Sequence, residues 1–477
     1  MKGIMEALAR RPAHVLAAAV VIYLLLGVGQ DGINLDSTTY SVIARNMVEQ
    51  GRWFDPTYTA YYHTHFAEHP PLVMWVQAVT FALFGASDTT ARFFGALCTL
   101  GAVLAAYGLG KEIKGKTYGF LSGLLLLLTY NFIQIGNSTL LDVPMSFFVL
   151  AALWGLVKAE KQPHRTKPYA ITGLALGLAF LTKGVVSGPV WLAVAVVVLW
   201  RHRSWLTTAR FWLIPALGLG LVLLHILLDQ MYADGHFTRH YFMTQVWARF
   251  VGGGPSIHTD WWEFTWRFVR MFVPWVVLLP FGVVYMFRRG MNLLFATVIT
   301  LLLYFVLYST AAKLYYHYFC PAYALAAPLA ALPLALWLRE SVVKKIPFWF
   351  SVVWLAAAIG VTATQVRIHE IRSPELYSIR EPMLRLLDGR PSREGLFIRT
   401  GEPDWDYVAK TAWYWRSDIR LVGDDVAAAS LLHAGRRYAY ILAESNNRLS
   451  EARLRLLRLK LHQENEKVAI YIPDTES

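Results

Sequence analysis

Charged residues are scarce in this chain. Asp, Glu, Lys and Arg make up 16% of its 477 residues, whereas a soluble globular protein has about 25%. Hydrophobic residues account for 56%, so the composition excludes an ordinary soluble enzyme and an intrinsically disordered protein. Cysteine is scarcer still, because the chain holds only Cys98 and Cys320, both in apolar stretches. Two such thiols exclude a disulfide-stapled domain and give no indication of a zinc or redox site.

Acidic residues are also in the minority, since 32 Asp and Glu face 45 Lys and Arg for a net charge of +13. A basic surplus of this size can indicate a nucleic-acid partner. Here, however, the basic residues interrupt long apolar runs instead of clustering on one polar domain. The distribution therefore favours a membrane protein that has no nucleic-acid partner.

Long apolar runs are what the chain has in abundance. A helix that crosses a bilayer needs about 20 mainly apolar residues, with about 17–25 as the usual range. The candidate segments are 13–29, 93–109, 118–135, 143–157, 169–182, 185–200, 211–228, 268–287, 292–309, 315–338 and 346–364. They predict an α-helical polytopic membrane protein with about 11 transmembrane helices.

The basic residues also orient these segments. With the N-terminus placed inside, the connections on its side of the membrane hold 18 Lys and Arg against 4 Asp and Glu. Cytoplasmic loops of membrane proteins carry an excess of Lys and Arg. The N-terminus is therefore predicted in the cytoplasm, and the C-terminal tail on the outer side.

One apolar run, 71–84, is left out of this count because it is short and begins beside Pro70. These features favour a re-entrant or interfacial helix, which makes residues 30–92 one large outer loop. Within that loop, residues 38–50 have helical apolar spacing and Gly51 follows as a stop signal. We expect a helix that lies along the outer surface.

The last part of the chain has a different character. Its strand-like runs are 395–399, 438–443 and 468–472, and its charged helical stretch is 449–462. Strands that alternate with helices predict a small α/β domain. The expected organisation is a transmembrane domain at 1–364, with the outer loop 30–92 as its catalytic part, and an outer α/β domain at 365–477.

Two acids stand at predicted helix starts on the outer side. Asp36 precedes the surface helix, and Asp142 begins the span at 143–157. The helix dipole stabilises a carboxylate there, and an ionised carboxylate in a cleft can accept a proton from an acceptor hydroxyl. The alternative is that both acids cap their helices, which Pro144 makes more plausible for Asp142.

Cations gather on the same predicted side. Arg92, Lys183 and Lys313 could clamp a lipid phosphate, although lysines at this depth can also extend to the membrane interface. The outer stretch 63–69, which contains Glu68, concentrates possible metal ligands, and His258 and Asp260 belong to a second outer loop. Such a cluster could hold a divalent metal ion. Hydrogen-bonding residues in a polar loop are the commoner case, so the metal ion is only one possibility.

Six short motifs follow one another along residues 10–340. They are Leu35-Asp36-Ser37, Glu68-His69-Pro70-Pro71-Leu72, Ala91-Arg92-Phe93, Leu141-Asp142, Leu181-Thr182-Lys183-Gly184 and the stretch 313–321. In this order the chain resembles the GT-C superfamily of polytopic glycosyltransferases that use polyprenyl-phosphate-linked sugars. The group includes the protein O-mannosyltransferases and the aminoarabinose transferases of lipid A. Each motif is weak alone, and their shared order is the specific signal.

The resemblance implies a helical membrane fold in a bacterial inner membrane, with a catalytic first outer loop and a periplasmic C-terminal domain. The implied reaction transfers a sugar from a polyprenyl phosphate with inversion at the anomeric carbon. In matching positions, Asp36 and Asp142 would be catalytic, and Glu68 and His258 would help to bind a metal ion. The residues implied to bind the donor phosphate are Arg92, Lys183, Lys313, His69 and Tyr316.

Two departures from the family pattern bear on the acceptor. Ser37 follows Asp36 where many members have Glu, and His69 replaces a lysine before Pro-Pro. His69 carries charge only at lower pH or beside a carboxylate. The missing Asp-Glu pair favours a glycolipid acceptor of the lipid A or polysaccharide type over the protein acceptor of an O-mannosyltransferase.

A flippase for lipid-linked sugars is the alternative from a different class of protein. Transporters often carry paired repeats and bind their substrates near the middle of the bilayer. This chain shows no duplicated half, and its polar residues gather at one predicted face. The sequence therefore favours an enzyme that meets a polyprenyl-phosphate sugar donor and a glycolipid or protein acceptor in the bilayer.

Overall fold

The computed structural model describes residues 2–247, 262–290, 294–309, 311, 314–369, 374–388, 390, 393–399, 405–433, 438–444 and 447–474. Its helices in chain order are α1 (Lys2–Arg10), α2 (Pro12–Leu26), α3 (Leu35–Gln50), α4 (Leu72–Phe84), α5 (Asp88–Leu127), α6 (Tyr130–Gly136), α7 (Asp142–Lys161), α8 (Thr166–Lys183), α9 (Gly188–Arg201), α10 (Leu213–Ala233), α11 (His236–His240), α12 (Glu263–Met271), α13 (Leu279–Arg288), α14 (Phe295–Ser309), α15 (Cys320–Trp337), α16 (Glu340–Val343), α17 (Ile346–Thr364), α18 (Pro374–Ser378), α19 (Arg380–Leu387), α20 (Trp405–Lys410), α21 (Asp425–His433) and α22 (Glu451–Leu457). The strands are β1 (Gly395–Ile398), β2 (Ile419–Val422), β3 (Tyr440–Glu444), β4 (Leu459–Glu464) and β5 (Val468–Pro473).

The chain divides into two compact units, each built from two stretches of sequence. The first contains Met1–Gln30 and Ala67–Ile368, and the second contains Asp31–Phe66 and His369–Ser477. The outer loop expected at 30–92 is therefore shared between the units. Compactness does not test which part works as a functional domain, so the division into 1–364 and 365–477 stays a prediction.

The first unit is a bundle of apolar helices. Within the described residues, six helices are long and apolar enough to cross a membrane, and eight if two sharply bent helix pairs each count as one crossing. The bends are 89° between α1 and α2, and 108° between α12 and the helical stretch that ends with α13. The prediction of a mostly helical fold is confirmed. The number of about 11 crossings stays a prediction.

Two helical stretches each contain a pair of predicted spans. In α5 the helical geometry is interrupted at Lys114 and Gly115, where Gly115 has a φ of 84°. Between α8 and α9, Gly184 has a φ of 61°, and a Cβ there would lie 1.8 Å from the Tyr241 hydroxyl oxygen. Only glycine fits this backbone and this contact. Both breaks occur where the sequence predicts a connection between spans.

Helix α15 is the most enclosed part of the bundle, since every residue from Cys320 to Pro333 is buried. It packs against α5, α7, α13 and α14, and its alanines allow close helix approach. The backbone oxygen of Leu329 lacks a helical donor because residue 333 is proline. Gly282 of α13 approaches this oxygen so closely that a Cβ would lie 1.9 Å from it. The sequence of α15 therefore suits a central helix that is surrounded by others.

The second unit is built around a sheet whose described strands follow the order β2-β1-β3-β5-β4. β1 is parallel to β2 and β3, whereas β5 is antiparallel to β3 and β4. The three predicted strand runs correspond to β1, β3 and β5, and the small C-terminal sheet is confirmed. β2 has no counterpart among the predicted runs.

The helical prediction for 449–462 is wrong in its second half. Helix α22 ends before Arg458, which has a φ of 51°, and the chain continues as β4. β4 is an edge strand among the described strands, and its charged residues Lys460 and Glu464 pair with β5. Charged side chains are common on edge strands because they discourage pairing with another chain. The same charges resemble the polar face of a helix in the sequence.

Helix α3 belongs to the second unit. It begins at Leu35, earlier than the predicted start at residue 38, and ends at Gly51, which has a φ of 71°. The Asn34 side-chain oxygen accepts a hydrogen bond from the Ser37 N–H at 2.9 Å. Asn34 is thus the N-cap of α3, and Gly51 supplies the predicted stop.

Candidate active site

Asp142 and Lys183 form a buried ion pair in the first unit. Asp142 is the first residue of α7, and Lys183 is the last residue of α8. Lys183 Nζ lies 2.5 Å from Asp142 Oδ1. The Lys183 side chain is 6% exposed and the Asp142 side chain 2% exposed. The positions suit the charges, because a helix N-terminus favours an anion and a helix C-terminus favours a cation. The structure therefore pairs a predicted catalytic acid with a predicted phosphate ligand.

Two further side chains from the turn before α15 enclose this pair. His317 Nε2 lies 3.9 Å from Asp142 Oδ2, and Lys183 Nζ lies 4.7 Å from the centroid of the Tyr318 ring. An aromatic face attracts a cation without supplying a negative charge. Lys183 is thus held by both a carboxylate and a ring, and the Asp142 carboxylate is placed to balance its charge.

Arg92 lies near the start of α5 and is buried. Its Nη2 donates to the backbone oxygen of Gly27 at 3.3 Å and to that of Gln30. These oxygens follow the end of α2, where helical carbonyl groups lack partners within the helix. Arg92 therefore joins α5 to the end of α2, in addition to its predicted role in binding the donor phosphate.

The segment that leads to Asp142 packs on the start of α5. The backbone oxygen of Ala91 accepts hydrogen bonds from Thr139 Oγ1 at 3.1 Å and from Gln77 Nε2 at 3.4 Å. Ala91 is the neighbour of Arg92, and Thr139 precedes α7 by a few residues. Arg92 and the Asp142–Lys183 pair consequently lie at the same end of the first unit.

The structure describes three of the five other predicted site residues of the first unit, namely Glu68, His69 and Tyr316. Glu68 and His69 are half-buried and are separated from α4 by Pro70 and Pro71. Tyr316 is 39% exposed beside His317. Lys313 and His258 lie outside the described residues. Among the residues that are described, no group of three or more His, Cys, Asp or Glu side chains could hold a metal ion.

Asp36 lies in the second unit, as the second residue of α3, and is half-buried. The capping role that was its alternative explanation is filled by Asn34, whose backbone oxygen also accepts from Thr38 Oγ1 at 3.1 Å. The Asp36 carboxylate stands in the first turn, where the helix dipole favours a negative charge. Capping is therefore unnecessary as an explanation of this acid.

Two buried cations of the second unit, Arg45 and Lys410, are absent from the predicted site. Their exposures are 7% and 0%, and both donate to backbone oxygens of this unit. A sequence signal exists for Lys410, which stands in the largely apolar stretch from Tyr407 to Trp415. It is weak, because an isolated lysine in such a stretch can also reach solvent.

The chain is similar in sequence to known membrane glycosyltransferases. Residues 68–227 match the family described as dolichyl-phosphate-mannose-protein mannosyltransferase. The undecaprenyl phosphate-alpha-4-amino-4-deoxy-L-arabinose arabinosyl transferase 1 of Pseudomonas fluorescens is 29% identical over 279 residues, which cover 56% of this chain and 49% of the relative. A relative from Pseudomonas aeruginosa with the corresponding name is 26% identical over 277 residues, covering 57% and 50%.

Solved structures extend the similarity over nearly the whole chain. ArnT from Cupriavidus metallidurans bound to undecaprenyl phosphate has a TM-score of 0.70 at 16% identity and covers 96% of this chain and 97% of that one. This chain therefore shares the fold of ArnT. The oligosaccharyltransferase AglB from Archaeoglobus fulgidus has a TM-score of 0.55 at 14% identity, covering 91% and 69%.

These similarities confirm the resemblance drawn from the order of short motifs. They also support a multi-pass protein of the inner membrane. The chain spans about half the length of the curated relatives it matches. The likeness in fold thus covers 96% of the chain, whereas the similarity in sequence covers only part of it and of its relatives.

Proposed function

We propose that the protein is an integral membrane glycosyltransferase. It moves a sugar from a polyprenyl-phosphate donor to a glycolipid acceptor of the lipid A or polysaccharide type. The observation that carries this proposal is the similarity over more than half of the chain to transferases named for undecaprenyl phosphate-linked aminoarabinose. The GT-C fold over 96% of the chain supports it.

The proposed topology has about 11 crossings, a cytoplasmic N-terminus and a periplasmic second unit. It is supported by the excess of Lys and Arg in the connections on the N-terminal side. The breaks at Gly115 and Gly184 support it too, since each divides a long helical stretch where two crossings would meet. In this topology, the end of the first unit that holds Arg92 and Asp142 is the outer one.

The proposed reaction breaks the bond between the anomeric carbon and the donor phosphate oxygen, and the bonding electron pair leaves with the phosphate. An acceptor oxygen forms the new bond from the opposite face, which inverts the configuration. If the acceptor is a hydroxyl, Asp36 accepts its proton. If the acceptor is a phosphate, no base is required, and Asp36 orients the acceptor or stabilises developing charge.

The donor phosphate is proposed to meet Arg92, Lys183, Lys313, His69 and Tyr316. Arg92 and Lys183 already have protein partners, so their part is to supply positive charge from fixed positions. Fixed charges aimed at a leaving phosphate lower the barrier because they need no reorganisation during the reaction. Asp142 is then a positioning residue for Lys183, although the sequence resemblance implies a direct catalytic role.

A divalent metal ion at Glu68 and His258 is the least supported part of the proposal. Glu68 is half-buried, and the described residues provide no cluster of three ligands around it. No step of the proposed mechanism therefore passes through a metal ion. If a chelator stops sugar transfer and added divalent metal restores it, the reaction depends on a metal ion.

The test uses the purified full chain in nanodiscs with a panel of polyprenyl-phosphate-linked sugars and lipid A. Mass spectrometry should detect sugar-free polyprenyl phosphate together with a sugar-bearing acceptor. We expect Asp36→Asn to lower kcat by at least about 100-fold when the acceptor is a hydroxyl, because a general base contributes about that much. Glu451→Gln, which neutralises an exposed acid of α22 in the same unit, is the control and should retain activity.

Near-normal turnover by a folded Asp36→Asn variant would remove Asp36 from the mechanism. A protein acceptor is the second candidate, favoured by the description of the family that matches residues 68–227. Sugar found on a peptide and not on lipid A would establish it. Movement of intact lipid-linked sugar across the bilayer, without release of polyprenyl phosphate, would instead show a flippase.

A further inference from the structure

Lys410 lies at the end of α20, and its side chain is completely buried in the second unit. Its ammonium group donates to the backbone oxygen of Ile33 and lies 5.5 Å from the centroid of the Tyr414 ring. Ile33 immediately precedes Asn34, the N-cap of α3. Lys410 therefore binds the backbone at the point where the chain enters the helix that carries Asp36.

Arg45 makes a second connection further along α3. Its Nη2 donates to the backbone oxygen of Ala412 at 2.9 Å, and its Nη1 to that of Trp413 at 3.3 Å. The guanidinium also lies 5.7 Å from the centroid of the Trp413 ring. Burial lowers the pKa of Arg45 to about 10, so the group is still protonated at neutral pH.

The two connections hold α3 at two points against one short stretch, residues 410–413. One point precedes the first turn, and the other is Arg45, in a later turn. A helix fixed at two points along its length has little freedom to tilt, slide or rotate. Moving α3, which carries Asp36, would require a buried cation to leave its hydrogen-bond acceptors, and an unpaired buried charge is costly.

We propose that Lys410 is a positioning residue for Asp36, and that residues 410–413 of the C-terminal part hold the catalytic helix in register for transfer. The proposal rests on the proposed function, because it presumes that Asp36 acts in the reaction. It gives the C-terminal part a role in the chemical step without contact with the reacting atoms. Arg45 acts in the same way from the helix side.

The direct test is Lys410→Met in the full chain, reconstituted in nanodiscs and assayed with the donor and acceptor that the wild type uses. Methionine keeps an unbranched apolar side chain and removes the ammonium group. We expect kcat to fall about 10- to 100-fold, since a displacement near 1 Å of a reacting group can cost about 100-fold. The KM for the donor should change less than about 3-fold, because the residues proposed to bind its phosphate are untouched.

Two further variants and one hydrogen-exchange measurement complete the test. Lys410→Arg, which keeps a cation and a donor, should recover most of the lost kcat. Lys460→Met removes a half-exposed lysine of the same unit and should leave kcat unchanged. Hydrogen exchange of the amides in 35–50 should speed up in Lys410→Met and not in Lys460→Met, which reports the hold on α3 without relying on activity.

A merely structural role makes a different prediction. In that case Lys410→Met would lower activity only in proportion to the folded fraction, with kcat per folded molecule unchanged, and the proposal would be overturned. If Lys410→Met does not fold, Arg45→Lys replaces it, since it keeps one charge and loses the two-oxygen contact. Arg45→Lys should lower kcat several-fold at constant donor KM, and wild-type kcat in this variant would equally overturn the proposal.

The outcome separates this proposal from the proposed function. If wild-type protein transfers no sugar, or Asp36→Asn is fully active, the proposed role of Asp36 fails, whatever the hydrogen exchange shows. If Asp36→Asn is inactive while folded Lys410→Met retains wild-type kcat, only the positioning role fails.

Discussion

Lys183 and Lys410, one buried lysine in each unit, are held in different ways. In the first unit, Lys183 is paired with the carboxylate of Asp142. In the second unit, Lys410 donates to a backbone oxygen. Arg45 donates to two more, and its Nε also lies 3.7 Å from Glu49 Oε2. An ion pair exchanges one buried charge for another, so removing one partner leaves the other uncompensated. A carbonyl group that loses its donor is a smaller liability, because it carries only a dipole.

The largest effect should come from breaking the ion pair. Lys183→Met leaves the Asp142 carboxylate buried without its partner, and breaking a buried pair in this way costs about 3–5 kcal/mol. We expect a clear fall in the thermal midpoint of the detergent-solubilised protein, measured by tryptophan fluorescence, and loss of transfer.

The control for this variant is the double change Asp142→Asn with Lys183→Met. It removes both charges, and well-packed neutral substitutes for a buried pair are often close to neutral in stability. The double variant should therefore be more stable than Lys183→Met alone. The complete double-mutant cycle, which includes Asp142→Asn, should give a coupling energy of about 0.5–3 kcal/mol. Additive effects of the two single changes would show that the pair contributes nothing specific.

A medium effect should come from the two arginines that each serve two backbone oxygens. Arg92→Met in the first unit and Arg45→Met in the second each leave two oxygens without this donor. A hydrogen bond to a charged group contributes about 1.5–3 kcal/mol, so we expect similar losses of stability in both variants, smaller than that of Lys183→Met. Thermal midpoints measured side by side check this order. A larger loss in either arginine variant than in Lys183→Met would contradict the comparison.

The smallest effect should depend on pH and concerns the second unit. Burial raises the pKa of the Asp418 carboxyl, and the hydrogen bond from the Ala60 N–H opposes this shift. A raised pKa means that the stability from this group is complete below the unfolded value of 3.8 and is lost as pH rises through the folded value. Asp418→Asn, which can still accept from Ala60, should therefore be at least as stable as the wild type at pH 7.

This advantage of the asparagine variant should shrink as the pH is lowered towards 4, where the wild-type carboxyl becomes protonated. Thermal midpoints of both proteins across this pH range provide the measurement. An advantage that grows at low pH would mean that the ionised form of Asp418, helped by the Arg45 charge, is the one that the fold stabilises.

Local sequence patterns predict the positions of helices and strands better than they predict how these elements pack together. Helix α3 ends at Gly51, and strands β1, β3 and β5 lie where apolar runs place them. Such elements depend on neighbouring residues, through periodicity and stop signals. The sequence of β4 predicts a helix because charges on an edge strand resemble the polar face of a helix, and edge position is a property of the sheet.

For the candidate site, the sequence determined which residues have the right chemistry and on which side of the membrane they should lie. Asp36, Asp142, Arg92 and Lys183 could be proposed from residue type and apolar context, because both act over short stretches of chain. The membrane class itself follows from 16% charge and 56% hydrophobic residues. The order of the motifs then indicated the GT-C fold.

Only the tertiary structure decided which group each charge meets. Lys183 binds an acid 41 residues before it in the chain, and Lys410 binds a backbone oxygen 377 residues before it. Residue type cannot separate a phosphate ligand from half of an ion pair, because a cation suits both equally. Burial and geometry make that choice, and they arise only when distant stretches of the chain pack together.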